Sequence, residues 1–218
     1  MLQLHSLPGG ASLIVHIVLE ELALPFELVV LDRAAKAHKA PAYLELNPNG
    51  LVPTLVDSRE GRPPLVLYET AAVSLHLTDT HPAAGLMPPL ASDERAHAYK
   101  WLAWLTNTVQ AALIIYFYPE RWSDDAAGAA RTKAHAAAKV GAMLDQLDAE
   151  FARHGGPWLL GSSFGLVDIY AFVLCRWTRG FERPARSLPH LAPWLERVLA
   201  RPAVQRAFAR EGLGAPYF

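Results

Sequence analysis

The segment Asn47-Pro48-Asn49-Gly50-Leu51-Val52-Pro53-Thr54-Leu55 gathers the residue types that constrain a backbone most strongly. Pro48 and Gly50 make a turn, and Pro53, which cannot donate to a ladder, belongs at the start or edge of a strand. The side chains able to do chemistry elsewhere are few. Cys175 is the single cysteine, so the chain cannot build an internal disulfide framework. Its apolar neighbours make it a small, buried, inert hydrophobe. His76 and His81 do not stand at metal-ligand spacing on a helix face, and no other cluster suggests zinc. Trp101, Trp104 and Thr108 form a stripe at helical spacing, which reads as core, with Trp104 and Thr108 as candidates to line a cleft.

The elements that must position these residues change character near residue 80. Before it, Leu2 to His5 and Phe26 to Leu31 read as strands, with a helix over Leu13 to Leu22 between them and Ser12 as its N-cap. Pro41 to Leu46 is a short helix. Thr54 to Val56 and Leu65 to Leu67 are strands joined through the turn-rich Asp57-Ser58-Arg59-Glu60-Gly61, and Thr70 to Leu77 is helical. The order β-α-β-α-β-β-α fits a mixed sheet flanked by helices. Residues 81–91, rich in proline, read as a linker. After it the pattern is all helical: Asp93 towards Tyr118, capped by Ser92 and ended by Pro119, then Asp124 to Ala152, Leu166 to Trp177, Leu191 to Ala200 and Pro202 to Arg210. The expected domains are residues 1–80 and 92–218.

The Asn47–Leu55 segment closely resembles the Asn-Pro-x-Gly-x-Val-Pro-x-Leu signature of the glutathione S-transferase superfamily. Leu67-Tyr68-Glu69-Thr70-Ala71-Ala72-Val73 is similar to that family's Glu-Ser motif, with Thr for Ser. The stretch from Pro8 to Glu21 and the run Tyr116-Phe117-Tyr118-Pro119-Glu120-Arg121 resemble bacterial members, and Gly165-Leu166-Val167-Asp168 resembles the family's N-capping box. The resemblance implies an α/β thioredoxin-like N-terminal domain that binds glutathione, followed by an all-α C-terminal domain that shapes a pocket for an apolar electrophile. It further implies a cis bond at Val52–Pro53, with the Val52 backbone turned outward to pair with the cysteinyl unit of glutathione as an added strand. Glu69 would take the γ-glutamyl ammonium. Thr70 and the helix N-terminus would take its carboxylate. Lys39, with Lys36 as second choice, would reach the glycyl carboxylate.

The expected activity is conjugation of the glutathione thiolate to an apolar electrophile, a detoxification chemistry with glutathione as co-substrate and no metal. The alternatives are a glutathione-dependent isomerase or dehalogenase, or a non-catalytic binder of glutathione or apolar ligands. The sequence departs from its relatives at the thiol activator. Ala11 stands where many bacterial members carry Cys, and Ser6 where many branches carry Tyr. The remaining hydroxyls are Ser12, at the expected helix N-terminus, and Ser6. A free thiol near pKa ~8.5 is mostly protonated at neutral pH, and lowering it by about two units takes ~2.7 kcal/mol. One hydrogen bond to the thiolate plus a helix end can supply that.

Composition sets the outer limits. Of 218 residues 52% are apolar and the net charge is −1, so nothing favours nucleic acid as a partner. No apolar run approaches the ~18 residues a membrane span needs. A start without a basic stretch and long apolar run, together with one cysteine, leads us to expect a cytoplasmic protein. The family's habit of pairing copies implies a homodimer.

Overall fold

The computed structural model describes residues 1–218. They pack as two units, Met1–Met87 with Ala200–Gly214, and Pro88–Leu199 with Ala215–Phe218. The break falls between Met87 and Pro88, inside the proline-rich stretch.

The first unit contains β1 (Leu2–Ser6), α1 (Ser12–Glu21), β2 (Phe26–Val30), α2 (Pro41–Leu44), β3 (Thr54–Asp57), β4 (Leu65–Tyr68) and α3 (Thr70–Thr80), in the expected order. The sheet runs β2-β1-β3-β4. β1 is parallel to β2 and antiparallel to β3, and β3 is antiparallel to β4. In β1, Leu4 and Ser6 are buried while His5 between them is only half-buried, the period of two that a strand requires. Every residue of α1 from Ser12 to Leu19 is buried. A helix apolar almost all round must sit inside the unit. The expected N-cap at Ser12 is corrected by one residue. Ala11 occupies the cap position without a side-chain bond, and Ser12 is the first helical residue. The Gly10 N–H closes a tight turn on the Leu7 carbonyl at 3.0 Å, and the Ser12 hydroxyl is turned back onto Leu7.

The second unit is helical, as expected. Ser92 caps α4 (Asp93–Trp104) by accepting the Arg95 N–H at 3.1 Å. The helix expected to run unbroken towards Tyr118 is instead interrupted. A π-helical stretch, Leu105–Gln110, separates α4 from α5 (Ala111–Phe117). Trp101 and Trp104 pack edge-on at 5.2 Å just before it, and the Thr106 hydroxyl donates back to the Ala103 carbonyl at 3.0 Å. Back-bonding of this kind competes with the regular ladder and accommodates one extra residue. α6 (Ala126–His154) is capped by Asp125, whose carboxylate accepts the Gly128 N–H. α7 (Leu166–Trp177) is buried from Leu166 to Arg176 and forms the centre of this unit. Asp168 accepts the Gly165 N–H at 3.0 Å, so the capping box works from its acidic end, and also the Trp194 indole N–H at 3.0 Å. Asp148 of α6 caps α8 (Leu191–Leu199), accepting the N–H groups of His190 at 2.8 Å and Leu191 at 2.9 Å.

The last helix, α9 (Pro202–Arg210), was expected with the second domain. Its contacts place it in the first unit, against α1. Arg206 and Arg210 pair with Glu20, and Arg201 makes a bidentate pair with Glu21. The helix buries Ala203, Val204, Ala207 and Phe208 there, and the complementary charges flank that apolar face. No helix of the chain is long and apolar enough to cross a membrane.

Candidate functional site

Strand register brings the sequence motifs to one end of the sheet. His5 of β1 and Tyr68 of β4 both pair with Thr54 of β3. One residue beyond that row lie Ser6, Pro53 and Glu69, with Val30 beside Ser6. α1 and α3 begin at the same end, just after β1 and β4. Four segments distant in sequence thus converge where two helix N-termini lie.

The Val52–Pro53 bond is cis. No hydrogen bond within the chain engages the Val52 N–H or carbonyl, so both remain free to pair with a peptide. The loop leading to Val52 is braced from beneath. The buried Asn47 amide donates to the Leu51 carbonyl at 2.9 Å and accepts the Asn49 N–H at 3.1 Å. The Tyr43 hydroxyl bridges the Leu51 carbonyl at 2.5 Å and the Thr54 hydroxyl at 2.8 Å. Burial pushes the Tyr43 phenol above its ordinary pKa, so it stays protonated and able to donate. Asn47 and Tyr43 were not singled out from the sequence as supports, because their role rests on contacts that only the folded loop defines.

Lys39 lies exposed against this loop, its ammonium donating to the Asn49 carbonyl at 3.1 Å. Lys36, the second choice, is also exposed and holds a left-handed backbone. Glu69 is exposed, and its φ of 72° is unusual for a side chain larger than glycine. Such a conformation costs of order 1–3 kcal/mol and persists where the surroundings enforce it, commonly at ligand sites. Thr70 begins α3 and is 6% exposed. The Val73 N–H already bonds the Glu69 carbonyl, so the Thr70, Ala71 and Ala72 N–H groups ahead of it are the helix's unfilled donors.

The two candidate hydroxyls differ from expectation in their surroundings. Ser12 is fully buried, and its Oγ donates to the Leu7 carbonyl at 3.2 Å while accepting the Leu7 N–H at 3.1 Å. The single hydroxyl proton is therefore committed to the backbone, and Ser12 would have to break that bond to serve a thiolate. Ser6 is also fully buried, and its hydroxyl has no partner in the chain. The N–H groups of Ala11 and Ser12 are likewise unpaired, whereas those of Leu13 and Ile14 bond the Gly10 and Ala11 carbonyls. Next to Ser6, His5 packs edge-on against Tyr43 at 5.6 Å, and burial lowers its pKa, partly opposed by Glu27.

The remaining candidates lie in the second unit. Trp104 and Thr108 are half-buried at and within the π-helical stretch. Trp104 lines a small apolar cavity together with Leu105, Val109, Leu144 and Cys175. Cys175 is buried, and burial pushes its thiol up to about 12, as its apolar setting led us to expect.

Comparison with known proteins agrees with this geometry. Residues 11–80 match the glutathione S-transferase N-terminal domain family, and residues 104–202 match the glutathione S-transferase C-terminal domain family. Among curated relatives, the chain is 32% identical over 212 residues to glutathione S-transferase GST-4.5 of Xanthomonas campestris, covering 97% of this chain and 100% of that one. Among solved structures it is similar to the glutathione S-transferase from Xylella fastidiosa, with a TM-score of 0.87, 32% identity and 98% and 100% of the two chains covered. It is also similar to a glutathione transferase homologue from Sulfitobacter with bound glutathione, with a TM-score of 0.86, 30% identity and 98% and 99% covered. On motif, register and relatives together, the chain belongs to the glutathione S-transferase superfamily.

Proposed function

We propose that the chain is a glutathione transferase that adds the glutathione thiolate to an apolar electrophile, and that the row Ser6–Pro53–Glu69 is its glutathione site. The observation that carries this reading is the convergence, at one sheet end, of an unpaired Val52 backbone beside cis-Pro53 and the unfilled N-terminus of α3. Glutathione lies along Val52 as an added strand. Its γ-glutamyl carboxylate meets Thr70 and the α3 N–H groups, and its ammonium meets Glu69. Lys39 holds the glycyl carboxylate. This pose directs the thiol towards the start of α1. We assign thiolate stabilisation to the unpaired N–H groups of Ala11 and Ser12, with Ser6 as the hydroxyl whose proton is uncommitted. Ser12 contributes by fixing Leu7. We assign recognition of the apolar electrophile to residues of the helical unit, with Trp104 and Thr108 as the candidates. The functional protein is a homodimer acting in the cytoplasm on electrophiles to be detoxified. Exposed Leu51 (54%) and Tyr99 (44%) offer apolar surface for a second copy.

The test is calorimetric glutathione binding followed by the ultraviolet absorbance of the bound thiolate against pH. Binding with a thiol pKa well below the free value supports the transferase. Binding with an unshifted thiol supports a non-catalytic binder, and absence of binding removes the site. Light scattering at micromolar concentration tests the dimer, which a monomeric mass contradicts.

A further inference from the structure

Glu211, just past the end of α9, is a carboxylate with a side chain 0% exposed. One oxygen accepts His16 Nδ1 at 2.8 Å and the other accepts the Gly9 N–H at 2.7 Å, across 202 residues of sequence. His16 lies wholly inside α1 and packs edge-on against Phe26 at 5.4 Å. A buried carboxylate is costly unless its oxygens are satisfied. Docking α9 on α1 does not need one, because α9 already buries Ala203, Val204, Ala207 and Phe208, with Arg201, Arg206 and Arg210 pairing with Glu20 and Glu21 near the surface. What Glu211 adds is a fixed point on the loop between β1 and α1. Two residues beyond Gly9 come Ala11 and then Ser12, whose N–H groups have no partner in the chain.

We propose that Glu211, oriented by His16, is a positioning residue that holds the Leu7–Ala11 loop so that the Ala11 and Ser12 N–H groups converge on the glutathione thiolate. The inference rests on the glutathione site proposed above. It makes the extreme C-terminal helix part of the thiol-activating apparatus of the first unit.

The experiment uses the full chain, glutathione, and chlorodinitrobenzene as a generic electrophile, with thiolate absorbance, calorimetry and thermal melting as readouts. Glu211→Ala is expected to raise the pH midpoint of bound glutathione by about one unit, the equivalent of one lost hydrogen bond. It should lower kcat by about tenfold to a hundredfold, as small misplacements do, while glutathione affinity changes by less than about threefold. Glu211→Gln keeps an acceptor for Gly9 and should recover most of the loss. Arg206→Ala loosens the same helix pair without touching Gly9, and should lower Tm with no movement of the titration. If Glu211→Ala and Arg206→Ala both lower Tm and neither moves the titration, Glu211 is a packing contact and the proposal is overturned. His16→Phe, which removes the donor orienting the carboxylate, should shift the titration in the same direction by less. Where Glu211→Ala yields no folded protein, an unmoved titration in His16→Phe overturns the proposal. Wild-type protein that binds no glutathione defeats the site itself, a result distinct from binding that is indifferent to Glu211.

Discussion

Substituting Gly50 by alanine should damage both stability and glutathione affinity, and the size of the effect can be worked out against Gly61. Both glycines have left-handed backbones, with φ of +56° and +69°. An alanine there costs about 1–2 kcal/mol, offset by about 0.4–1 kcal/mol from the restricted unfolded chain. The sites differ in space. A Cβ at Gly61 meets nothing within 4 Å, whereas at Gly50 it meets the His38 carbonyl oxygen and the Lys39 Nζ, each at 2.8 Å. The lysine can swing away only by giving up its bond to Asn49, and the His38 oxygen is backbone and must move with its segment. Overpacking of this kind adds about 1–3 kcal/mol. The expected total is about 2–4 kcal/mol for Gly50→Ala and under about 1.5 kcal/mol for Gly61→Ala. For a chain of this length that means Tm losses of about 5–12 °C and at most a few degrees. Glutathione affinity should fall about tenfold in Gly50→Ala alone, because the displaced loop carries both Lys39 and Val52. Thermal melts and calorimetry on the two variants decide the matter. Equal Tm shifts, or unchanged affinity in Gly50→Ala, would refute the close-approach argument.

Thr70→Ala should weaken glutathione binding by about tenfold, one hydrogen bond to a charged group, and Glu69→Ala by a similar factor through the lost ammonium contact; native circular dichroism with unchanged affinity in both would remove α3 from the site. Ser6→Ala should lower turnover by about tenfold and raise the pKa of the bound thiol, whereas Ser12→Ala should chiefly lower Tm by freeing Leu7; the thiolate titration distinguishes them. Burial works to raise the Glu20 carboxyl, but hydrogen bonds from Arg206 and Arg210 outweigh it and hold its pKa below the ordinary 4.5. A depressed carboxyl contributes stability that is present above the unfolded value and lost as pH falls through the folded one. Tm should therefore drop on acidification below about pH 4.5 less steeply in Glu20→Gln than in wild type, and identical slopes would contradict the pairing. Cys175, pushed to about 12 by burial, should react with thiol reagents at neutral pH only as fast as the chain unfolds, which denaturant-dependent labelling rates will test.

The sequence alone determined most of the elements and their order, because those depend on neighbours, though not the cap of α1 or the break between α4 and α5. Pro53 belonged at the start or edge of a strand, Ser92 and Pro119 bounded a helical run, and the order of strands and helices before residue 80 fitted a mixed sheet flanked by helices. The resemblance of Asn47–Leu55 and Leu67–Val73 to the family's motifs pointed to the candidate glutathione site, and those motifs are legible because proline, glycine and a helix start write backbone geometry directly into the chain. Three things were decided only by tertiary structure. The π-helical turn at Leu105–Gln110, where the Thr106 hydroxyl donates back to the Ala103 carbonyl, interrupts a run whose apolar spacing reads as one continuous helix. The placement of α9 on α1 depends on burying Ala203, Val204, Ala207 and Phe208 and on ion pairs such as Arg206 with Glu20, between residues 186 apart. The commitment of the Ser12 hydroxyl to Leu7, like the reach of Glu211 to Gly9, depends on where a loop closes in space. A hydroxyl or carboxylate carries no mark in the sequence of the partner it will meet, so the thiol-activating group was the part of the site that sequence could only narrow to alternatives.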